Sequence, residues 1–259
     1  MNERSIIFFD IDGTLLDTEK KLPESTKKAV GQLKADGHIV AIATGRAPFM
    51  FEKLRQALDI DTYVSFNGSY VVLEGEVIHK NPLDKEALLQ LTEEGLANDH
   101  PVVYLSEEDM MSNVPEHAHI NEGIASLKLG MQPGHDPEYH VGRDLYQTLL
   151  FAPEGEGAQY TEKYDAFDFI RWHRVSLDVI PKGGSKAKGI AKVIDTLDIP
   201  KERHYAFGDG PNDKEMMTEV FNSYAMGNAV DETKSLARYT TKHVDEGGIE
   251  YGLKMSGLI

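Results

Sequence analysis

Two short apolar runs near the start of the chain each lead into polar residues. Residues 6–9, Ile-Ile-Phe-Phe, lead directly into Asp10, and residues 38–43 lead into Thr44. Apolar runs of this length, bounded by turn residues, are typical of strands that are buried on both faces of a sheet. Asp10 and Thr44 would then lie at the carboxyl ends of their strands, where open α/β sheets bind ligands.

Helical patterns separate these strands and continue beyond them. Between the first two strands, we predict a helix that has Pro23 as its first residue and is closed by Gly37. After the second strand, the pattern predicts a helix at 48–58, a strand at 63–66 and a hairpin at 71–78 around Glu-Gly. This alternation predicts a parallel sheet with right-handed crossovers.

The middle of the chain has a mixed pattern. Strand-like runs separated by helices predict a small α+β domain that is inserted into the first domain. Its predicted elements are helices at 86–96 and 116–127, strands at 102–105, 145–151, 167–172 and 175–180, and a loop at 132–137.

The parallel pattern resumes after this insertion. The predicted elements there are a helix at 185–197, a strand at 204–207, a further helix, a strand at 223–226, a helix at 231–236 and a last helix that starts near Asp245. We therefore expect the α/β fold class: a core domain with a Rossmann-like parallel sheet over 1–81 plus 184–259, and an inserted α+β domain over 82–183.

The composition excludes several classes of protein. The chain has 259 residues, 41% of them hydrophobic, no cysteine and a formal net charge of −16. Without cysteine it forms no disulfide and no cysteine-based zinc site, and its acidic balance argues against a nucleic-acid partner. No stretch approaches the ~20 apolar residues that span a membrane, and residues 1–4 lack the form of a signal peptide. We therefore expect a cytoplasmic protein without a membrane partner, whose oligomeric state the sequence leaves open.

Polar residues at the predicted strand ends indicate one shared site. Asp10, Asp12, Thr44 and Asp209 follow strands, and Lys186 starts a helix, so we expect them to meet at one edge of the sheet. Two carboxylates one residue apart repel each other, which suggests a bound cation or two different protonation states. Carboxylates suit Mg²⁺, while a hydroxyl, a lysine and backbone N–H groups suit phosphate.

The motifs around these residues resemble those of the haloacid dehalogenase (HAD) superfamily, and within it the Cof-like phosphatases with a large C2-type α/β cap. The resemblance covers nearly the whole chain and implies a HAD-like core, an inserted cap that sets substrate specificity, and Mg²⁺ as cofactor. The four motifs stand here as Asp10-Ile11-Asp12-Gly13-Thr14, Ala43-Thr44-Gly45-Arg46, Lys186 within residues 184–189, and Gly208-Asp209-Gly210-Pro211-Asn212-Asp213.

The resemblance also implies a role for each motif residue. Asp10 attacks phosphorus and becomes an aspartyl phosphate. Asp12 acts first as general acid and then as general base, so it must initially carry a proton, and we expect a neighbouring carboxylate to raise its pKa. The implied Mg²⁺ ligands are Asp10, Asp209 and the backbone carbonyl of Asp12. The implied phosphate-binding groups are Thr44, Lys186, Asn212 and the backbone N–H groups of Ile11 and Gly45.

Four positions carry alternatives. Lys186 and Lys188 are both candidates for the motif lysine, and the family pattern favours Lys186. Asp213 is expected to orient Lys186 or a metal-bound water. Arg46 either reaches the ligand or pairs with surface acids. Asn67 either faces the substrate, as an Asn here can in related proteins, or belongs to an Asn-Gly turn.

Three features of the inserted domain bear on the substrate. Residues 171–174, Arg-Trp-His-Arg, could stack on a sugar or a base, although a rim of packing residues is the commoner outcome. His117 and His119 lie two apart on a predicted helix, so we expect them to point away from each other as surface residues. Met110 and Met111 are expected in the core of this domain.

The sequence therefore favours a Mg²⁺-dependent phosphatase that hydrolyses small phosphomonoesters, with a small phosphorylated metabolite as its partner. Sugar phosphates and nucleotides are the expected substrate classes. A phosphomutase of the same superfamily is the first alternative, although the insertion lacks a clear second arginine-rich phosphate site. A non-enzymatic signalling module that accepts a phosphoryl group is the second alternative.

Overall fold

A computed structural model of the chain describes residues 4–259. Residues 1–3, which carry part of the signal-peptide expectation, lie outside the described residues. The strands are, in chain order, β1 (Ile6–Phe9), β2 (Ile39–Ala43), β3 (Thr62–Ser65), β4 (Tyr70–Leu73), β5 (Glu76–Lys80), β6 (Val102–Leu105), β7 (Met110–Ser112), β8 (Gly134–His135), β9 (Gln147–Leu150), β10 (Phe167–His173), β11 (Ser176–Pro181), β12 (His204–Gly208), β13 (Asn222–Ala225) and β14 (Tyr239–Thr240).

Helices connect most of these strands. None of the helices in residues 4–259 is long and apolar enough to cross a membrane. The α-helices are α1 (Glu24–Ala35), α2 (Glu52–Leu58), α3 (Lys85–Ala97), α4 (Ala118–Ser126), α5 (Ala158–Thr161), α6 (Lys186–Thr196), α7 (Lys214–Glu219), α8 (Asp231–Leu236) and α9 (Gly248–Ser256). Short 3-10 turns lie at Pro48–Phe51, Phe66–Gly68, Lys201–Arg203, Pro211–Asp213 and Val244–Glu246.

The chain divides into two compact units. We call the unit formed by residues up to 46, 51–79 and 185–259 the core unit, and the unit formed by 47–50 and 80–184 the inserted unit. The assignment of the inserted unit as a specificity cap stays a prediction.

An eight-stranded sheet has the order β14-β13-β12-β1-β2-β3-β4-β5. From β14 to β3 each neighbouring pair is parallel, and β3 pairs with β4 in the antiparallel direction. The α/β class with a parallel sheet is confirmed.

The first strand lies in the centre of this sheet, between β12 and β2. All of its residues, Ile6–Phe9, are fully buried, which explains their uninterrupted apolar run. Its side chains Ile6 and Phe8 belong to a cluster with Ile190 and Val193 of α6. Burial of each such side chain contributes ~1.5–3 kcal/mol to the free energy of unfolding. The strand that ends at Asp10 is therefore strongly stabilised by packing.

The inserted unit contains a six-stranded sheet of order β10-β11-β9-β6-β7-β8. Its pairs from β10 to β7 are antiparallel, and only β7 and β8 are parallel. Leu88 and Leu91 of α3 and Tyr160 of α5 join its hydrophobic cluster. Met110 is 1% exposed and Met111 packs against the cluster, which confirms the predicted interior position of both residues.

Two helix boundaries differ from the predictions. Pro23 has an extended backbone (φ −65°, ψ 143°) and is the N-cap of α1, which begins one residue later. The predicted helix at 48–58 is two elements, because Phe51 (φ −124°, ψ 17°) departs from helical geometry between the 3-10 turn and α2.

The prediction for His117 and His119 was wrong. His117 is extended (φ −155°, ψ 138°) and lies before α4, where its ring Nδ1 accepts a hydrogen bond from the His119 backbone N–H. The two ring centroids are therefore only 5.0 Å apart. The spacing argument failed because the helix begins at Ala118 and not at Glu116.

Part of the predicted loop at 132–137 forms the short strand β8. It pairs with β7, with Gly134 opposite Met111. A Cβ atom at Gly134 would lie 2.4 Å from the Met111 sulfur, so glycine permits this close approach. The cluster of Pro, Gly and His residues indicated the irregular backbone on either side of β8 but did not reveal that Gly134 and His135 pair with β7.

Candidate active site

Neighbouring parallel strands deliver the predicted site residues to one edge of the core sheet. Asp10 follows β1, Thr44 follows β2 and Asp209 follows β12, and both β2 and β12 pair directly with β1. The carboxyl ends of parallel neighbours lie side by side. The sheet topology therefore brings together residues that lie about two hundred positions apart in the sequence.

Lys186, the first residue of α6, links two carboxylates. Its Nζ donates to Asp10 Oδ1 and to Asp213 Oδ1, the latter at 2.7 Å. Lys186 is 1% exposed, Asp10 6% and Asp213 0%. We call Asp10, Lys186, Asp209 and Asp213 the charged cluster. Lys188 is an exposed residue of the same helix, so Lys186 is the lysine at Asp10.

Asp213 organises the loop that follows β12. Its Oδ2 accepts hydrogen bonds from the backbone N–H groups of Asp209 and Gly210, each at 2.9 Å. Because its Oδ1 is bound to Lys186, both oxygens of Asp213 are engaged. Its contacts agree with the predicted role of orienting Lys186.

The charged cluster contains more negative than positive charge. Burial raises the pKa of Asp10 to about 8 against the opposing effect of Lys186, and Asp213, Asp209 and Asp12 raise it further. Burial also raises the pKa of Asp209 to about 6, with Asp213 adding to the effect. Burial alone would lower the pKa of Lys186, but the Asp10 and Asp213 carboxylates raise it above its ordinary value.

This excess of negative charge fits a divalent cation. Carboxylate oxygens of Asp10, Asp209 and Asp213 lie within 4.8 Å of one another. Among the described residues, Asp213 accepts three hydrogen bonds, whereas Asp10 accepts one from Lys186 and Asp209 accepts one on each oxygen. Asp10 and Asp209 therefore retain more capacity to bind a metal ion. Hard oxygen donors in a buried site suit Mg²⁺, which retains several of its waters.

The second aspartate of the first motif has a different environment. Both oxygens of Asp12 bind the Arg46 guanidinium, with Nε–Oδ2 at 2.7 Å and Nη2–Oδ1 at 2.6 Å, and Lys20 Nζ lies 2.5 Å from Oδ1. Burial would raise the pKa of Asp12, but Arg46 and Lys20 outweigh it, and the net effect lowers the pKa below its usual range. The expectation of a raised pKa was wrong, because two cations contact this carboxylate. Arg46 therefore pairs with an acid of the site itself.

Thr44 and Asn67 are brought together next to the charged cluster. The Thr44 backbone N–H donates to Val64 O (2.8 Å), and its carbonyl accepts from the Asn67 N–H (3.1 Å). Asn67 is 4% exposed with φ +49°, and its Oδ1 accepts from Asn212 Nδ2 at 3.4 Å. A Cβ atom at Gly45 would lie 3.0 Å from Asn67 Nδ2, so glycine leaves room for this amide.

Hydrogen bonds within the first motif fix the turn after β1. The backbone N–H groups of Thr14 and Leu16 donate to Ile11 O, at 3.4 and 2.8 Å, and that of Leu15 donates to Asp10 O at 3.2 Å. The side chain of Ile11 is fully buried. The turn therefore holds Asp10 and Asp12 in fixed positions through its own backbone.

Sequence reasoning missed three residues of this site. Thr14 Oγ1 donates to Asp209 Oδ1 at 3.2 Å, and Asn228 Nδ2 donates to Asp209 Oδ2 at 3.2 Å. Lys20, in the segment between β1 and α1, contacts Asp12 through its Nζ. Asn228 follows β13, a parallel neighbour of β12, so the strand-end rule applied to one more strand would have found it.

Known proteins resemble this chain over nearly its whole length. A family model described as haloacid dehalogenase-like hydrolase matches residues 7–253. A Bacillus subtilis (strain 168) protein named "Putative phosphatase YkrA" is 45% identical over 257 residues, which cover 99% of each chain. The crystal structure of a hypothetical protein from Geobacillus kaustophilus HTA426 is 53% identical, with 99% of this chain and 100% of that chain covered and a TM-score of 0.95. The HAD subclass IIB sugar phosphatase BT4131 is 29% identical, with 98% and 100% covered and a TM-score of 0.85.

The fold and the site together define an enzyme of phosphate chemistry, with a buried carboxylate, a lysine and a set of carboxylate oxygens that fits a cation at the edge of a parallel sheet. The chain belongs to the haloacid dehalogenase-like hydrolases. The proteins that it resembles include a putative phosphatase and a sugar phosphatase, and the predictions of the superfamily, of its Cof-like group and of a phosphoric monoester hydrolase are confirmed.

Proposed function

We propose that this chain hydrolyses small phosphomonoesters with Mg²⁺ as cofactor and Asp10 as the nucleophile. One observation carries the proposal: Asp10 is buried at the end of β1, binds Lys186 through Oδ1, and has a carboxylate oxygen within 4.8 Å of one of Asp209. The hydrogen bond from Lys186 to Asp10 is made to Oδ1. We assign the attack on phosphorus to the other oxygen, Oδ2.

Asp10, Asp209 and the backbone carbonyl of Asp12 would hold the metal ion, which supplies positive charge against the repulsion between Asp10 and a phosphate. In the first step the new bond joins Asp10 to phosphorus, the ester bond breaks, and Asp12 gives its proton to the leaving alcohol. In the second step Asp12 takes a proton from water, which attacks the aspartyl phosphate and releases inorganic phosphate.

The ion pair between Asp12 and Arg46 sets a condition on this mechanism. A carboxylate bound by a guanidinium and an ammonium group retains a proton poorly. Asp12 must therefore separate from Arg46 and Lys20 before it can serve as the acid. A substrate phosphate competes for the same cations, so substrate binding itself would favour that separation.

The remaining polar groups of the site would hold the transferring phosphoryl group. Thr44, Lys186 and Asn212 are assigned this role, together with the backbone N–H groups of Ile11 and Gly45. Thr44 is 2% exposed and its Oγ1 already accepts from the Arg46 N–H at 3.1 Å, which directs its hydroxyl. Asn67 is a further candidate through its bond with Asn212.

A small phosphorylated metabolite, such as a sugar phosphate or a nucleotide, is the proposed substrate, and the inserted unit is proposed to select it. The similarity to a sugar phosphatase supports the sugar class. Arg171 is not available for this selection, because its guanidinium donates to the carbonyls of Ala152, Pro153, His173 and Arg174. Trp172 remains a candidate, since its buried Nε1 has no partner among the described residues.

The Asp10→Asn variant tests the proposal. We expect its phosphate release from p-nitrophenyl phosphate with Mg²⁺ to fall by at least ~10³-fold, because the amide is a far weaker nucleophile. The exposed variant Asp36→Asn should retain wild-type activity. Full activity in Asp10→Asn contradicts the proposal. Turnover that requires a sugar bisphosphate would indicate the phosphomutase, and an aspartyl phosphate that persists for minutes would indicate the signalling module.

A further inference from the structure

Asn228 joins three segments of the core unit around one carboxylate. Its Nδ2 donates to Gly13 O at 2.8 Å and to Asp209 Oδ2 at 3.2 Å, and its Oδ1 accepts from the Val244 N–H at 2.9 Å. Both protons of the amide and its oxygen are thus engaged. The orientation of the amide is set by its partners, because exchanging Oδ1 and Nδ2 would place an oxygen against two acceptors.

Two glycines make this arrangement possible. A Cβ atom at Gly13 (φ +76°) would lie 2.3 Å from Asp209 Oδ2 and 3.1 Å from Asn228 Nδ2. A Cβ atom at Gly227 would lie 2.4 Å from the His243 backbone nitrogen. The close approach at Gly227 brings the segment with Val244 to Asn228, and the close approach at Gly13 brings the first motif to Asp209.

Asp209 is therefore held through both of its oxygens. Thr14 Oγ1 donates to Oδ1 and Asn228 Nδ2 donates to Oδ2, each at 3.2 Å. A carboxylate oxygen has two lone pairs, so one hydrogen bond to each oxygen fixes the carboxylate plane and leaves capacity for a cation. Hydrogen bonds of this kind orient metal-binding carboxylates and tune their affinity.

We infer that Asn228 is a positioning residue, which sets the orientation of the Asp209 carboxylate for the divalent cation without touching the substrate or the metal. This inference rests on the proposed function, because it assumes that Asp209 binds the metal ion. Without Asn228, Thr14 alone would hold the carboxylate. Rotation of that carboxylate would then weaken cation binding more than it weakens substrate binding.

The test compares Asn228→Ala with Asn222→Ala. Asn222 lies at the start of β13, the strand that Asn228 follows, and its Nδ2 donates to two backbone carbonyls, Glu202 O at 2.8 Å and His204 O at 3.2 Å. Both substitutions thus remove one amide with two donated hydrogen bonds, but only Asn228 contacts Asp209. Binding of Mn²⁺ to the metal-free protein, followed by the electron paramagnetic resonance signal of free Mn²⁺, gives a readout that does not depend on activity.

We expect the Mn²⁺ dissociation constant to rise about tenfold or more in Asn228→Ala and to change less than twofold in Asn222→Ala. At saturating metal, KM for p-nitrophenyl phosphate should stay within about twofold of wild type in both variants. If Asn228→Ala does not fold, Asn228→Ser, which is too short to bridge Gly13 O and Asp209, takes its place with the same expected direction.

The outcomes distinguish a failure of the proposed metal-dependent function from a failure of the positioning role of Asn228. If the wild-type protein binds no Mn²⁺, the proposed metal-dependent function is wrong. If the wild type binds Mn²⁺ and Asn228→Ala binds it equally well, the proposed function stands and the positioning role of Asn228 is overturned. An equal loss of affinity in both variants would also overturn it, because it would indicate a general effect of destabilising β13.

Discussion

The charged cluster and one part of the sheet in the inserted unit bury polar groups in opposite ways. In the charged cluster, Lys186 lies between two carboxylates and Asp213 has partners on both oxygens. On β9 and β11, by contrast, Gln147 Oε1 and Ser176 Oγ are buried without a hydrogen-bond partner among the described residues. Near them, burial raises the pKa of Asp178 to about 7, opposed only by a hydrogen bond from Gln147.

The difference shows which polar groups the fold depends on. An unpaired buried polar atom costs about 1–3 kcal/mol, whereas a paired one contributes about 0.5–1.5 kcal/mol. Removing a member of the charged cluster should therefore lower the free energy of unfolding strongly. Removing an unpaired polar group of the inserted unit should change it little.

Lys186→Met gives the largest effect that we expect. The substitution leaves Asp10 and Asp213 buried without their shared cation, so the free energy of unfolding of the metal-free protein should fall by about 3–5 kcal/mol. Urea denaturation measures this change. Lys188→Met, two residues further along α6 at an exposed position, should change stability by less than about 0.5 kcal/mol. Equal effects would mean that the buried ion pairs do not stabilise the fold.

Gly68→Ala tests the backbone that positions Lys186. A Cβ atom at Gly68 (φ +97°) would lie 2.1 Å from the carbonyl oxygen of Ser185, the N-cap of α6. We expect a loss of about 2–4 kcal/mol in urea denaturation, from backbone strain together with the clash. Gly75→Ala is the matched control, because Gly75 has a similar φ of +84° but open space around its Cβ position. If the two variants lose the same stability, backbone strain alone explains why position 68 requires glycine, and the clash with Ser185 contributes nothing.

The strand ends of the core were predictable because their signals are local. A buried strand between two parallel neighbours must be apolar throughout, so Ile6–Phe9 and the polar residues that follow could be recognised directly. From the sequence alone, the strand-end rule predicts that Asp10, Thr44 and Asp209 lie close together. Motif order supplied Lys186, which periodicity alone would have left as an ordinary helical lysine.

The electrostatics of the site were less predictable, because they depend on contacts between distant segments. Arg46 lies 34 residues from Asp12, and only the structure shows that its guanidinium binds both oxygens of that carboxylate. The same limit applies to Asn228, whose partner Gly13 lies 215 residues away. Local patterns predicted the positions of the charges, but not which cation each carboxylate takes.

Asp178→Asn tests the inserted unit, through the way in which the stability of the protein depends on pH. The folded-state pKa of Asp178 is about 7, against an ordinary value of 3.8. Between these values the unfolded chain releases a proton that the folded protein retains, so this residue lowers the free energy of unfolding as pH rises from about 4 to 7. The asparagine variant lacks this pH-dependent loss, so its free energy of unfolding relative to wild type should rise by about 3 kcal/mol over that range. Parallel stability curves for the two proteins, from urea denaturation at each pH, would contradict the assignment.

The smallest expected effect separates a paired from an unpaired hydroxyl. Ser65 of β3 and Ser176 of β11 are both fully buried, but Ser65 Oγ donates to Tyr70 O at 3.0 Å and Ser176 Oγ has no partner among the described residues. Ser65→Ala should therefore destabilise the protein by about 1 kcal/mol, while Ser176→Ala should be neutral or stabilise it by up to about 1 kcal/mol. Thermal denaturation of the two variants measures the difference. A loss of stability in Ser176→Ala as large as that in Ser65→Ala would show that Ser176 is paired in solution, and the contrast between the two regions would then not extend to this position.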